Sequence, residues 1–158
     1  MDEIAKKQTL RMIPYGLYVL TVGDGDSANA ATVTWLTQAS FDPPRITVHL
    51  RNDTSTNERV LATRRFVVNV LGEGQKELAS TFFRHVELAG NTLGGHPIHD
   101  GITGAPILDD APAYLECQVV KTLDAGDHTI VLADVVEAGI QNDLAILDLA
   151  QTGYTYGG

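Results

Sequence analysis

Cysteine is nearly absent from this chain: Cys117 is the only one. No internal disulfide can form, so a reducing compartment suits the sequence. Cys117 lies in a strand-like run, where a buried, inert thiol is expected rather than a nucleophile. Long hydrophobic runs are missing as well. No stretch stays apolar over the ~20 residues that a bilayer requires, and Met1-Asp2-Glu3-Ile4 has no secretory character. A soluble, cytoplasmic protein with no membrane partner is the expectation. Basic residues are scarce, 11 against 20 acidic ones for a net charge of -9, which excludes a broad nucleic-acid surface. A local site for a single phosphate stays open.

The familiar catalytic signatures are missing too. Gly72 and Gly74 are followed by Glu77 where a dinucleotide fingerprint needs its third glycine. There is no Walker loop and no Gly-x-Ser-x-Gly elbow. Asp24-Gly25-Asp26 fails as a calcium loop, because its sixth position is Asn29 and its twelfth is Trp35. His96, His99 and Asp100 have metal-ligand chemistry, but loop histidines three apart are ordinarily solvated, so no metal is expected. No pair of carboxylates suggests acid–base work. Such a chain, if it has a pocket, points toward chemistry borrowed from a cofactor.

The 158 residues, 44% of them hydrophobic, suit a single domain over residues 1–158 with a full core. Tyr15–Val22 is predicted as a strand, followed by a Gly-Asp-Gly-Asp turn. A second strand is predicted over Thr32–Ser40. Ile46, Val48 and Leu50 alternate with Thr47, His49 and Arg51, the period of a half-buried strand. Ser55-Thr56-Asn57-Glu58 fits a capping box and starts a short helix. Phe66–Leu71 reads as a nearly all-apolar strand and Gln75–Arg84 as a helix with Leu78, Ala79, Phe82 and Phe83 on one side. Residues 85–112, rich in Gly, Pro, His and Asp, are predicted mostly as loop. Ala113–Leu123 and His128–Ala138 read as long strands joined by Asp124-Ala125-Gly126-Asp127, and Ile146–Ala150 as a short one. About six strands with two short helices suggest an antiparallel barrel with helical decoration.

The segment Asn29–Pro44 is the most telling. It sets small residues, hydroxyls, an amide and the only Trp on one extended run, ended by Pro43-Pro44. Such a run lets a backbone approach a flat aromatic ligand closely. It is equally the composition of a plain Thr-rich strand.

Four pieces in this order carry a resemblance: Gln38-Ala39-Ser40-Phe41-Asp42-Pro43-Pro44, Phe66-Val67-Val68-Asn69-Val70-Leu71, Gly126-Asp127-His128-Thr129-Ile130, and the closing Thr152-Gly153-Tyr154-Thr155-Tyr156-Gly157-Gly158. Together they resemble the flavin reductase-like family of FMN-binding split barrels, from about Arg11 to Gly158. The resemblance implies a mainly β fold: an antiparallel, Greek-key split barrel of the FMN-binding type with short peripheral helices. It also implies a homodimer with FMN near the interface, FAD being the less favoured flavin.

Roles then follow as expectations. Thr32, Thr34, Trp35, Thr37, Gln38 and Ser40 would line the ring edge, with Trp35 either a ring contact or core. Asn52, Thr54, Ser55, Thr56 and Asn57 would hold the phosphate, or merely cap a helix; a helix start favours an anion in either case. Asp53 is a departure, since an acid repels a phosphate. Phe82 and Phe83 would cover the flavin, at least one of them serving the core instead, and Arg84 would reach the phosphate. His128 would contact nicotinamide or flavin, or else stabilise a turn. The implied function is an oxidoreductase passing electrons from NADH or NADPH through FMN to free flavin, oxygen, ferric iron or a redox protein. The alternative is an FMN-carrying electron-transfer module serving a rubredoxin or diiron flavoprotein. A barrel that has lost its flavin and only binds or assembles is the third reading.

Overall fold

The computed structural model describes residues 1–158. Eleven strands form: β1 (Tyr18–Val22), β2 (Asn29–Val33), β3 (Leu36–Phe41), β4 (Pro44–Arg51), β5 (Arg65–Val70), β6 (Leu88–Ala89), β7 (Thr92–Leu93), β8 (His96–Asp100), β9 (Pro106–Leu108), β10 (Ala113–Asp124) and β11 (His128–Ile140). The helices are α1 (Glu3–Leu10), α2 (Ser55–Thr63), α3 (Lys76–Thr81) and α4 (Leu149–Thr152).

Seven strands make one antiparallel sheet in the order β2-β1-β5-β10-β11-β4-β3. Its two edges, β2 and β3, are joined only by Thr34 and Trp35. A link that short spans at most about 11 Å, so the sheet must curl until its edges nearly meet. The edges do not pair: β2 bonds to β1 and β3 to β4. The result is an antiparallel barrel split at Thr34-Trp35. Central strands are buried on both faces, as the apolar Phe66-Val67-Val68 run of β5 requires.

Phe66, Val68, Val48, Cys117 and Val131 fill the barrel interior. Cys117 is fully enclosed, and burial pushes its thiol up to about 12, so it stays protonated and inert as expected. A second core of Leu17, Leu71, Phe82, Leu93 and Leu108 lies outside the barrel wall, under α3 and a smaller sheet.

That smaller sheet, β6-β7-β8-β9, corrects the predicted loop at 85–112. Its strands are two to five residues long and too rich in Gly, Pro and His to show a period. Two buried polar residues of the barrel tie it down. Asn69 Nδ2 donates to Val19 O (3.0 Å) and Thr21 Oγ1 (3.2 Å), while its Oδ1 accepts from Leu108 N (2.8 Å). Glu116, 1% exposed, accepts from Ile102 N, Thr103 N and the Thr103 hydroxyl at 3.1, 2.8 and 2.7 Å. Each buried acceptor is thus satisfied.

Other expectations shift. The predicted strand over Thr32–Ser40 is two strands, broken at Thr34-Trp35 where the chain crosses the split: Leu36 N bonds Thr34 O (3.1 Å) and Trp35 O accepts from His49 N (3.0 Å). The predicted strand at Ile146–Ala150 contributes only isolated bridges at Ile146 and Asp148 before α4. The helix predicted over Gln75–Arg84 ends at Thr81, leaving Phe82 to Arg84 outside it. The first strand begins at Tyr18 rather than Tyr15. Helix α2 is capped by Thr54 Oγ1, which accepts from Asn57 N (3.2 Å), so the cap stands one residue before the predicted box.

Candidate functional site

The break in the barrel opens a cleft of about 450 Å³. Strand β2 and the crossing residues form one wall, with Thr32, Thr34 and Trp35 facing in. The end of β4 adds His49 and Arg51, the polar face already visible in its alternation. Thr54 and Thr56 enter from the start of α2, Phe82 and Phe83 from the turn after α3, and Tyr154 and Tyr156 from the C-terminal tail. A mostly apolar cleft with a few polar groups on one side suits a flat ring bearing a polar chain.

The start of α2 is a cluster of hydroxyls. Asn29, 2% exposed, donates from Nδ2 to Ser55 Oγ (2.9 Å) and Thr56 Oγ1 (3.3 Å). Each hydroxyl accepts that bond and keeps its own proton to give. Free donors at a helix start favour an anion. Thr54 Oγ1 is spent on its cap and on Arg51 O (2.8 Å). Asn52 ties this loop to the β10–β11 hairpin, donating to Gly126 O (2.8 Å) and accepting from the Thr129 hydroxyl (2.7 Å). Asn57 is buried behind the helix start, its Nδ2 3.4 Å from Thr129 Oγ1 and its Oδ1 without a partner.

Arg51, not Arg84, is the cation on the cleft. Arg84 is exposed and lies off its wall. Arg51 Nε donates to Asp53 Oδ1 (3.0 Å) and its Nη2 to Oδ2 (2.5 Å), which raises the guanidinium and lowers the carboxyl through that shared hydrogen bond. The pair accounts for Asp53: its charge is turned to Arg51 rather than to the helix start.

At the ring end, Trp35 is the centre of an aromatic cluster. His128 lies 4.7 Å from it at an interplanar angle of 32°, and Tyr156 stands edge-on at 5.3 Å. His128, 7% exposed, does not line the cleft itself. Its Nδ1 is 2.7 Å from Asp127 Oδ1 and its Nε2 2.9 Å from the Tyr156 hydroxyl. The hydrogen bond to His128 holds Asp127 below the usual carboxylate range, and burial pushes the Tyr156 phenol up. Where Nδ1–H donates to Asp127, the Nε2 of that tautomer accepts a hydrogen bond from the Tyr156 hydroxyl.

Of the remaining candidates, Thr32 spends its hydroxyl on Ala79 O (2.6 Å), while Thr34 Oγ1 and Trp35 Nε1 are buried and unpaired. Phe82 is buried and Phe83 half-exposed at the rim, 5.0 Å from the Tyr154 ring. Thr37, Gln38 and Ser40 lie along edge strand β3, off the cleft wall. Sequence reasoning missed Asn29, His49, Arg51 and the tail tyrosines as site residues. The period-two face of β4 was the one signal that pointed to two of them.

His49 carries a pH dependence. Burial, and then nearby His128, hold its imidazole below the ordinary value of 6.5. The folded state therefore favours neutral His49, and stability is full above 6.5. As pH falls from there toward the folded value, the unfolded chain binds the proton first and stability declines. Urea midpoints of the wild type should drop in that window, and His49→Gln should flatten the drop. Parallel curves would exclude His49 as its source.

Fold and cleft together define an antiparallel split barrel whose seam holds an aromatic, hydroxyl-edged site. The chain belongs to the family of flavin reductase-like domains, whose sequence model matches residues 10–158. It is 33% identical over 135 residues to diflavin flavoprotein A 1 of Synechocystis, covering 85% of this chain but only 24% of that protein. The chain thus spans about a quarter of that relative's length. A Rhizobium meliloti protein named a probable flavin reductase is 33% identical over 154 residues, 97% of this chain and 48% of its own. The solved NADH:FAD oxidoreductase of Streptomyces globisporus superposes with a TM-score of 0.77 at 29% identity, over 86% of this chain and 81% of that one. No helix is long and apolar enough to cross a membrane.

Proposed function

We propose that this domain is an FMN-dependent oxidoreductase that takes electrons from NADH or NADPH and passes them to a second acceptor: free flavin, oxygen, ferric iron or a redox protein. One observation carries the reading. In a chain of the flavin reductase-like family, one cleft joins an aromatic ring-sized wall to a helix start where Thr56 lines the cleft and exposed Ser55, off its wall, stands next in the chain, each with a hydroxyl proton to donate.

The residues present fit a flavin. Ala31 and Val33 leave room for a flat ring, and the buried, unpaired Thr34 Oγ1 offers a polar contact on that wall. Ser55 and Thr56 would donate to the phosphate, with Arg51 able to exchange Asp53 for it. That compact anion site favours FMN over FAD, although the Streptomyces relative is named for FAD. Bound flavin supplies the capacity to accept hydride and pass electrons on. The chain supplies position: Phe82 and Trp35 confine the ring, and Asn29 orients the phosphate donors. His128 acts through Tyr156, holding its hydroxyl at the mouth of the cleft.

A homodimer is part of the proposal. Edge strand β3 is open, with Phe41 94% exposed, and Ile4 of α1 and Met12 just beyond it are uncovered. A second copy laid there would bring Thr37, Gln38 and Ser40 into the interface. The lone, buried thiol suits a cytoplasmic setting.

The likeness to diflavin flavoproteins favours one rival, a flavin-carrying module whose electrons come from a partner. Anaerobic titration of the FMN-loaded protein with NADH and NADPH separates the two. The visible flavin band should bleach within seconds with one of them. Persistence of the band with both would leave the carrier, and a protein that takes up no FMN would leave the empty barrel.

A further inference from the structure

The C-terminal tail divides two clefts. On one side is the cleft described above; on the other is a second of about 410 Å³, walled by residues 11–15 and the α4 region. Tyr154, Thr155 and Tyr156 line both. The tail therefore has space on each side, with Tyr154 packed on the second core and edge-on to Phe83 and Tyr156 toward Trp35. Two long-range hydrogen bonds hold its end, the Tyr156 hydroxyl on His128 Nε2 at 2.9 Å and Gly157 O accepting from Arg11 Nε at 3.1 Å, while Tyr154 N bonds Thr152 Oγ1 at 3.0 Å and Lys76 Nζ lies 4.8 Å from the Tyr154 ring.

The second cleft has a free cation. Arg11 lines it, uses only Nε on the tail, and has no carboxylate within 4.0 Å. Lys7, one turn earlier on the same face of the N-terminal segment, is unpaired as well. Lys7 borders a separate groove shared with Glu3 and Gly158, which leaves Arg11 as the cation of this cleft. The one carboxylate on that cleft, Asp148, is engaged in capping α4, where Oδ1 accepts from Gln151 N at 2.9 Å.

We infer that the second cleft receives the pyrophosphate of the nicotinamide dinucleotide, held by Arg11, when the Tyr156 ring leaves Trp35 and the nicotinamide takes its place. The inference rests on the function proposed above. It gives a role to an aromatic ring that stands edge-on to Trp35 in a segment flanked by a cleft on each side. It also supplies the phosphate grip that the missing glycine fingerprint would otherwise provide. A flavin dinucleotide is the poorer occupant. Its phosphates would begin at α2, which borders the first cleft only.

The test is calorimetric titration of the FMN-loaded protein with oxidised NAD. Arg11→Ala, an exposed change, should weaken binding about ten-fold, the loss of one charge-assisted bond. KM for NADH should rise by a similar factor, while KM for dihydronicotinamide riboside, which has no phosphate, should not. Hydrogen exchange of residues 153–158 should speed up when oxidised NAD is added, because the tail is displaced. Equal NAD affinity in Arg11→Ala and wild type overturns the inference, as does an equal KM rise for the riboside or a tail that gains protection. A selective loss of FAD over FMN with NAD binding unchanged overturns it too. Failure of every donor to bleach the flavin would strike the proposed function instead, and the binding titration would still read the site.

Discussion

Ser55→Ala combined with Thr56→Val is expected to weaken FMN binding by at least about 100-fold. Each hydroxyl is held by Asn29 with its proton free, at the start of α2. A hydrogen bond to a charged group contributes about 1.5–3 kcal/mol, so two of them correspond to at least two powers of ten. Fold stability should fall by only ~1–3 kcal/mol, the cost of the buried Asn29 amide that loses both acceptors. Thr54, which caps the helix, is untouched, and valine keeps the volume of buried Thr56. Riboflavin, which lacks the phosphate, should bind wild type and variant alike. Titration by quenching of flavin fluorescence measures both. If FMN affinity survives the double change, the phosphate does not sit at α2.

The second large effect is on stability. Asn69→Ala should lower the thermal midpoint by about 10 °C. The substitution strands Val19 O and Leu108 N, both bonded to the Asn69 amide in a fully buried setting, and frees Thr21. Unpaired buried groups cost ~1–3 kcal/mol each, and in a chain of this size 1 kcal/mol moves the midpoint by about 2–4 °C. Because Leu108 belongs to β9, the small sheet should lose hydrogen-exchange protection before the barrel does. A midpoint within about 2 °C of wild type would show that the small sheet is held by other contacts.

Asn69 also marks where the sequence could and could not be read. The strand around it was legible, since Phe66 to Leu71 is almost wholly apolar and suits a central position. The structure its side chain supports was not. Strands β6 to β9 owe their order to Asn69 and Glu116, which lie distant in sequence, and no local period announces them. The same reason hid the break at Thr34-Trp35. Nothing in that run forbids one continuous strand; the crossing is imposed by two different pairing partners, β1 and β4. For the cleft, the residue types were readable and the geometry was not. Hydroxyls at Ser55 and Thr56 announced an anion site. That Arg51 rather than Arg84 reaches it depends on how β4 meets α2. Tyr156 reaches His128 from the other end of the chain, a contact only the folded tail can make.

The most direct measurement is a crystal structure of the protein reconstituted with FMN. The phosphate should lie within hydrogen-bond reach of Ser55 and Thr56, with the isoalloxazine along Thr32 to Trp35 beside Phe82. A cleft that stays empty at saturating FMN, or a flavin seated elsewhere, would contradict the account.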